Sequence, residues 1–240
     1  MKDVALVLAA GSGTRMQSET KKQFIVLDQK PILYYSLKAF EESGVEKIVI
    51  VTSKEDIDYC RKGIVERYHF SKVTEIVEGG AQRFHSVYRG LKAVGDCDNV
   101  LIHDAARPMI TTELIEDIRS ALREHKAVIT AVPVKDTIKS SDPDGFVTGT
   151  PDRKALWQVQ TPQAFRFDLI KAAYGYVIRE GMEDVTDDGM ALERYTHGSE
   201  RIKLLEGSYE NIKVTTPEDL LIATVFLGKR DKNQVDTKYK

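Results

Sequence analysis

The chain has 240 residues, of which 42% are hydrophobic, and this is enough for one substantial α/β domain with a real core. Its 35 basic and 37 acidic residues leave a formal net charge of −2, which argues against a nucleic-acid partner. The two cysteines, Cys60 and Cys97, are too few and too far apart for a zinc cluster and indicate no disulfide framework.

Short apolar runs alternate with helical patterns along the first half of the chain. Strands are predicted over residues 4–8, 47–51, 73–77, 99–103 and 128–134. Helices are predicted over residues 31–43, from an N-cap at Ser53, from about Gln82 and from Thr112. This alternation predicts a Rossmann-like, mostly parallel sheet with helices on both faces, in which ligands lie at the carboxyl ends of the strands.

A glycine-rich loop follows the first predicted strand, and Lys22-Gln23 comes shortly after it. Gly11 and Gly13 let the backbone turn tightly, and successive N–H groups in such a turn form a donor site for anions. Arg15 and Lys22 add positive charge near the same place. We therefore predict a nucleotide phosphate site.

Two commoner glycine patterns fit this loop poorly. A dinucleotide-binding fingerprint needs a third glycine where this chain has Met16, and the Gly-Lys-Ser/Thr of the NTPase phosphate loop does not occur near Gly11. An ordinary strand-to-loop turn with exposed basic residues remains an alternative.

The segment 103–108 follows another predicted strand and reads His-Asp-Ala-Ala-Arg-Pro. Asp104 has the carboxylate that a hydrated Mg²⁺ prefers, and Arg107 can grip a phosphate with two N–H groups. The alternative is an Asp–Arg pair that only fastens the loop. The five histidines show no ligand spacing, so covalent or histidine-metal chemistry has little support.

Residues 135–155 interrupt the alternation. Asp142-Pro143-Asp144-Gly145 favours a tight turn between two extended pieces, which predicts a protruding β-hairpin. Because an isolated hairpin is at best marginally stable, we predict that it is a dimerisation arm; a flexible surface loop is the alternative.

The rest of the chain returns to core patterns. Residues 156–160 resume the core, and residues 201–205 and 211–214 predict strands. Residues 169–178 and 188–195 predict helices, and Thr216-Pro217-Glu218-Asp219 begins another helix. We expect a single domain over residues 1–228 and a frayed polar tail over residues 229–240. Neither a signal segment nor a bilayer-spanning run occurs, so we expect a cytoplasmic protein without a membrane partner.

Taken in order, the motifs resemble those of the 2-C-methyl-D-erythritol 4-phosphate cytidylyltransferases over about residues 3 to 227. The glycine loop alone indicates only nucleotidyltransferases in general, whereas the joint order of the later motifs is far more specific. The motifs are the glycine loop with Lys22-Gln23, Gly79-Gly80 with Arg83 and Ser86, the 103–108 segment, Val-Lys-Asp-Thr at 134–137, Asp152-Arg153 with Leu156-Trp157, Thr161-Pro162-Gln163, Thr186-Asp187, and Asn-Ile-Lys-Val-Thr at 211–215.

The resemblance implies that CTP and methylerythritol phosphate give the CDP-alcohol and pyrophosphate, in the non-mevalonate route to isoprenoid precursors, with Mg²⁺ bridging phosphate oxygens. It implies four catalytic residues, of which Arg15 and Lys22 stabilise the transition state and Arg153 and Lys213 hold the sugar phosphate. It implies CTP binding by Ala9, Ala10, Gly11, Gly13, Gly80, Arg83, Ser86 and Asp104, with Asp104 also a metal ligand, and sugar-phosphate binding by Arg107, Thr137, Thr161 and Thr186. In the family the arm reaches the neighbouring subunit, so a homodimer is expected, in which Thr137 and Arg153 serve the partner's site.

The chain departs from the family pattern at two positions. Lys21 stands where relatives commonly carry proline, which leaves open whether Lys21 or Lys22 faces the phosphates; the adjacent Gln23 favours Lys22. Ala81 stands where many relatives carry an acidic or polar residue. The rival hypotheses are a ribitol 5-phosphate cytidylyltransferase, a nicotinamide oxidoreductase and a non-catalytic nucleotide-binding protein.

Overall fold

The computed structural model describes residues 1–11 and 20–238, with side chains described as far as residue 230. In chain order the strands are β1 (Asp3–Leu8), β2 (Val26–Leu27), β3 (Lys30–Pro31), β4 (Lys47–Thr52), β5 (Val73–Glu78), β6 (Asn99–Asp104), β7 (Ala127–Pro133), β8 (Ser140–Ser141), β9 (Val147–Gly149), β10 (Trp157–Arg166) and β11 (Lys203–Glu206). The α-helices are α1 (Ile32–Glu42), α2 (Arg83–Ala93), α3 (Thr112–Ala121), α4 (Phe167–Arg179), α5 (Asp188–Thr196) and α6 (Pro217–Lys238). Short 3-10 turns cover Lys22–Phe24, Lys54–Asp56 and Arg153–Ala155, and a π-helix covers Tyr59–Glu66.

Seven strands form one sheet in the order β11-β7-β10-β6-β1-β4-β5. Within this sheet β10 runs antiparallel to both of its neighbours, β6 and β7. The remaining pairs are parallel. The prediction of a Rossmann-like, mostly parallel sheet is therefore confirmed.

Both faces of the sheet are covered, because successive side chains of each central strand enter opposite cores. In β1, Ala5 and Val7 pack into one core cluster with side chains of α1, α3 and the π-helix. Val4 and Leu6 pack into the other with side chains of α2, α4 and α5. The predicted helices on both faces are confirmed, and the loops that follow β1, β4, β5 and β6 share one edge of the sheet.

Helix α6 lies beside this layered core and is longer than predicted. The Asp219 carboxylate accepts hydrogen bonds from the backbone N–H groups of Thr215 and Thr216 at 2.8 and 2.9 Å, which satisfies donors at the start of the helix. Ala223 and Leu227 are buried in a third, smaller cluster. The helix continues to Lys238. Of the helices in the described part of the chain, none is long and apolar enough to cross a membrane.

The strand predicted over residues 211–214 does not form. The chain leaves the sheet after β11 and turns, with the Asn211 N–H bonded to the Ser208 carbonyl at 3.0 Å. The Val214 N–H then donates to the Ala106 carbonyl at 2.8 Å, in the loop after β6. The extended, apolar pattern of this segment reflects packing against that loop and the third cluster rather than a sheet ladder.

The helix predicted from Ser53 forms, but it begins as a 3-10 turn over Lys54–Asp56 and continues through the π-helix Tyr59–Glu66. A 3-10 turn follows Ser53, and its side chain accepts no capping hydrogen bond from the backbone. Instead the Ser53 hydroxyl donates to the Asp56 carboxylate at 2.5 Å, because Lys21 draws both groups into one cluster.

The predicted β-hairpin is present and consists of β8 and β9. Its turn is closed by the Asp142 carboxylate, which accepts from the N–H groups of Asp144 and Phe146 at 3.1 and 2.9 Å. Gly145 has a φ of +88°, a conformation that glycine adopts without steric cost. Phe146 and Val147 are 72% and 63% exposed, so the arm carries apolar side chains into solvent.

Candidate active site

Two adjoining cavities open at the carboxyl ends of the central strands. The smaller, of about 300 Å³, is lined by Ala10, Gly11, Lys22, Gly80 and Ser86, among others. The larger, of about 690 Å³, is lined by Arg107, Thr161 and Thr186, among others. Arg83, Asp104 and Lys213 line both cavities and form the wall between them. Ala10, Gly11, Gly80 and Ser86, expected to bind the nucleotide, thus lie in one cavity, and Arg107, Thr161 and Thr186, expected to bind the sugar phosphate, lie in the adjoining one.

Two glycines after β5 allow the smaller cavity to form. A Cβ on Gly79 would stand 2.7 Å from the Ala10 Cβ, and one on Gly80 would stand 2.3 Å from the His85 Cβ. The Ser86 hydroxyl accepts the Gly80 N–H at 3.0 Å and fixes the turn at the start of α2. Close approach of Gly79 to the loop after β1 therefore requires glycine. Gly80 and Ser86, which were expected to bind CTP, line the cavity beside this turn.

The two adjacent lysines point to different places. Lys22 lines the smaller cavity, and its Cε lies 3.8 Å from where a Gly11 Cβ would stand. The Lys21 ammonium instead contacts Ser53, Glu55 and Asp56 at 2.6 to 2.7 Å. Gln23 is buried and donates to the Ala9 carbonyl at 2.6 Å. Ala9 itself is buried behind the cavity wall and does not line it.

A chain of charges forms the shared wall. The Asp104 carboxylate contacts the Lys213 ammonium at 2.6 Å and the Arg83 Nε at 3.3 Å. Burial alone would raise the pKa of the Asp104 carboxyl, but the charges of Arg83 and Lys213 outweigh it and hold that pKa well below its usual range. Asp104 is therefore ionised, and it holds two cations at the boundary between the cavities.

Arg83 is held from behind by a fully buried carboxylate. Its two terminal nitrogens each donate to one oxygen of Asp188 at 2.8 Å, a bidentate pair. The hydroxyl of the buried Tyr174 donates to the same carboxylate. Burial opposes the charged form of Arg83, but Asp188 and Asp104 raise the pKa of its guanidinium well above the ordinary value.

A buried polar triad supports the backbone of Asp104. The Asp104 N–H donates to the Thr161 hydroxyl oxygen at 3.0 Å, and that hydroxyl lies 3.1 Å from the Nδ1 of His103. The His103 Nε2 lies 3.3 Å from the Arg107 carbonyl oxygen, which can only accept, so the proton of the neutral ring belongs on Nε2 and Nδ1 accepts from the Thr161 hydroxyl. Burial lowers the pKa of His103 to about 4, so the ring is neutral.

Arg107 presents charge to the larger cavity. One terminal nitrogen donates to the Asn211 carbonyl at 2.7 Å, and its buried Nε has no hydrogen-bond partner among the described residues. Burial lowers the pKa of its guanidinium, although Asp104 opposes this. An incompletely paired arginine lining a cavity is suited to an anionic ligand.

Thr186 reaches the larger cavity at the start of α5. The next residue, Asp187, caps the helix by accepting the Met190 N–H at 2.8 Å. The buried Gln163 donates to Asp187 at 3.0 Å and accepts the Gly189 N–H at 2.9 Å. Gln163 thereby fixes the helix start that carries Thr186.

Two expected site residues fall outside the described part of the chain, and two others lie at the base of the arm. Gly13 and Arg15 fall outside the described residues. Thr137 and Arg153 lie exposed at the base of the arm, where Arg153 donates to the Lys135 carbonyl at 2.6 Å. Neither lines the two cavities of this chain.

Tyr174, Asp188 and Lys21 are the supporting residues whose roles the sequence motifs did not reveal. Tyr174 occupies an apolar helix face, where it looks like any core tyrosine. Asp188 stood in an Asp-Asp pair of a kind that recurs in ordinary turns. The signal available in the sequence was the position of Asp188, an acid directly after the Thr186-Asp187 motif.

Asp104 is the residue that fits a divalent metal ion here. Among the described residues no group of three or more His, Cys, Asp or Glu side chains could hold a metal. Mg²⁺ in nucleotide enzymes needs only one or two carboxylates, because substrate phosphates and water supply the other ligands. The single Asp104 carboxylate on the shared wall fits that kind of site.

The mostly parallel sheet, the glycine loop after β1 and the cations around two adjoining cavities define an α/β nucleotidyltransferase. The sequence model of the family 2-C-methyl-D-erythritol 4-phosphate cytidylyltransferase matches residues 4–229, and the chain belongs to that family.

Individual relatives agree with this assignment. A 2-C-methyl-D-erythritol 4-phosphate cytidylyltransferase from Lachnospira eligens is 50% identical over 227 residues, covering 94% of this chain and 99% of the relative. One from Caldanaerobacter subterraneus subsp. tengcongensis is 45% identical, covering 94% and 98%. The crystal structure of the 4-diphosphocytidyl-2C-methyl-D-erythritol synthase from Anaerococcus prevotii superposes with a TM-score of 0.83 at 36% identity, covering 95% and 96%.

Proposed function

We propose that this chain transfers the cytidylyl group of CTP to 2-C-methyl-D-erythritol 4-phosphate, a step of non-mevalonate isoprenoid biosynthesis. An oxygen of the sugar phosphate forms a bond to the α-phosphorus of CTP, the bond to the bridging oxygen breaks, and pyrophosphate leaves. The observation that carries this proposal is the wall of Arg83, Asp104 and Lys213 shared by two cavities. Two phosphorylated molecules in those cavities meet at that wall.

In this proposal the smaller cavity takes CTP, with its phosphates near Lys22 and the glycine turns. Arg15 is assigned to the same phosphates by family resemblance. The larger cavity takes the sugar phosphate, held by Arg107 and Lys213 with Thr161 and Thr186 beside it. The protein forms no covalent intermediate. It aligns two anions and stabilises the charge that develops between them.

We propose Mg²⁺ as the metal that accompanies CTP. When bound, it neutralises phosphate charge and polarises the reacting phosphoryl group. Asp104 would hold it, with Arg83 and Lys213 beside it on the wall that lines both cavities.

We also propose a homodimer. The exposed apolar side chains of the arm support it, and so does the position of Thr137 and Arg153 outside the cavities of their own chain. On this proposal the arm carries both residues to the partner's larger cavity. Location in the cytoplasm stays a prediction.

The test is a pyrophosphate-release assay. CTP, UTP, ATP and GTP are each offered with methylerythritol phosphate and with ribitol 5-phosphate. We expect turnover with CTP and methylerythritol phosphate, and weak or no turnover with the purine nucleotides, whose bases are larger than the cytosine that we propose for the smaller cavity. A higher kcat/KM with ribitol 5-phosphate would overturn the substrate assignment, and no pyrophosphate release with any pair would overturn the enzyme.

A further inference from the structure

Three successive side chains, those of Lys21, Lys22 and Gln23, have three different targets. Lys21 reaches a cluster after β4, Lys22 lines the smaller cavity, and Gln23 is bonded to the carbonyl of Ala9 after β1. The proposed function uses Lys22 alone. The side chains before and after it, Lys21 and Gln23, each form hydrogen bonds with other parts of the protein.

The Lys21 cluster is a closed set of polar contacts. The ammonium lies 2.6 Å from Asp56 and 2.7 Å from both Ser53 and Glu55, and the Ser53 hydroxyl in turn donates to Asp56. The Lys21 and Asp56 side chains are 26% and 17% exposed, whereas Glu55 is 69% exposed. Asp56 is therefore the less screened partner, and Glu55 contributes less.

Lys21 and Gln23 contact residues that follow two neighbouring strands: Ser53 follows β4, and Ala9 follows β1. β1 and β4 pair in parallel, with Leu8 opposite Val51, so Ala9 and Ser53 follow the same edge of one rigid ladder. Only Lys22 separates Lys21 from Gln23, and the 3-10 turn at this place is closed by the Phe24 N–H, which donates to the Lys21 carbonyl at 2.9 Å. The backbone of Lys22 is thus held on one side by the contacts of Lys21 and on the other by the Gln23 hydrogen bond.

We propose that Lys21 is a positioning residue, whose contacts with Asp56 and Ser53 hold the backbone of Lys22 so that its ammonium faces the reacting phosphates. This inference rests on the proposed function, since it gives Lys22 its task. A charge that acts in a transition state is most effective when it is already oriented, because no reorganisation is then needed during the reaction. A surface ion pair without this task would influence folding stability slightly and kcat not at all.

The test compares Lys21→Met and Asp56→Asn with the unmodified chain in the pyrophosphate-release assay. We expect kcat to fall roughly tenfold or more in each, because a misplacement of about 1 Å can cost up to 10²-fold in rate. The CTP dissociation constant should change less than about twofold, since the cavity wall is intact. Lys21→Arg, which keeps the charge, should recover most of the rate.

Lys54→Met is the matched control. Lys54 is an exposed lysine in the adjacent 3-10 turn, and the same substitution there should leave kcat unchanged. All variants should melt within a few degrees of the unmodified chain, which separates a rate effect from unfolding.

The decisive comparison uses a Lys22→Ala background. If Lys21 acts through Lys22, adding Lys21→Met to Lys22→Ala changes kcat by less than twofold. Multiplicative losses, or an unchanged kcat in Lys21→Met alone, would overturn the inference while leaving the proposed function in place. A Lys22→Ala variant with full activity would instead overturn the role proposed for Lys22, and the inference with it.

Discussion

Lys22 and its neighbour Lys21 have the same chemistry, and their positions decide what each does. The Lys21 ammonium is balanced by Asp56 and Glu55, and these contacts raise its pKa although burial opposes this. Its charge is thus directed at protein groups, whereas Lys22 lines the cavity at the glycine turn. Of these two adjacent lysines, Lys21 therefore forms ion pairs within the protein, and Lys22 lines the cavity in which we propose that CTP binds.

For Lys22→Ala we expect a loss on the order of 10²-fold in kcat and a much smaller loss in CTP affinity. The reason is that the charge opposite this ammonium grows as pyrophosphate leaves, so its contribution is greatest in the transition state. Steady-state kinetics combined with calorimetric CTP titration measures both. Equal losses in rate and affinity would contradict the assigned role.

His103 predicts a pH dependence of stability. Burial lowers its pKa from 6.5 to about 4 in the folded chain, so the unfolded chain binds this proton more readily between those values. The stabilisation is complete above pH 6.5 and is lost as pH falls toward 4, by about 1.4 kcal/mol per pH unit from this group.

Urea unfolding between pH 7.5 and 5 measures this dependence. His103→Gln removes the titrating group, so its free energy of unfolding should be lower at pH 7.5 but should fall less steeply on acidification. Parallel curves for the two proteins would show that His103 is not the responsible group.

Helices α2, α4 and α5 are joined at the site by one buried carboxylate. Asp188 at the start of α5 binds Arg83 of α2 and Tyr174 of α4, so the orientation of Arg83 depends on how three elements pack. The network continues through Asp104 to Lys213. The position of the shared wall is therefore a property of these elements together.

We expect Asp188→Asn to lower the free energy of unfolding by about 3 kcal/mol, because it removes the fully buried carboxylate charge that pairs with the partly buried Arg83. Tyr174→Phe removes one hydrogen bond to a charged group and should cost about 1.5 kcal/mol. Both are measured by urea denaturation at neutral pH.

Asp184→Asn is a suitable control, because Asp184 and its partner Arg194 have side chains that are 62% and 46% exposed. Its effect should stay within about 0.5 kcal/mol. A loss of that small size for Asp188→Asn as well would mean that the network does not hold Arg83.

At the scale of the whole molecule, helices cover both faces of the central sheet, whereas the arm is mostly exposed to solvent. Phe146 and Val147 contribute exposed apolar area far from the core clusters, and β8 and β9 pair only with each other in the described structure. An arm of this kind gains stability when a second copy covers it. In the proposed dimer, assembly and activity are linked, because Thr137 and Arg153 at the base of the arm are assigned to the partner's site.

We expect replacement of Phe146 by Ser and Val147 by Thr to shift the proposed dimer toward monomer and to lower kcat/KM for the sugar phosphate. Sedimentation velocity and the pyrophosphate assay measure these effects. Unfolding of the isolated subunit should change little, because neither side chain enters the core.

Leu221→Ser is the control for the arm, since Leu221 on α6 is 72% exposed, as Phe146 is. It should leave the oligomeric state unchanged. If Leu221→Ser dissociated the dimer and the arm variant remained dimeric, the interface would have to be assigned to α6 and not to the arm.

The sequence by itself determined the alternation of strands and helices up to β7, the glycine turn after β5 and the turn of the arm. These follow from short-range causes: the period of apolar residues selects the element, and small residues mark where backbone must approach closely. The Asp-Pro-Asp-Gly turn of the arm is of this kind, and so is Lys22 beside Gln23. Local pattern was sufficient because each feature depends on neighbours within a few residues.

Only the tertiary structure decided which of these groups meet. Arg83 and Asp188 are 105 positions apart, and Lys21 meets Asp56 across 35. Residues 211–214 look like a strand by pattern, yet Val214 bonds the loop after β6 because the sheet edge is no longer beside it. Such contacts arise from the packing of whole elements, and the pattern within one element carries no information about its partner.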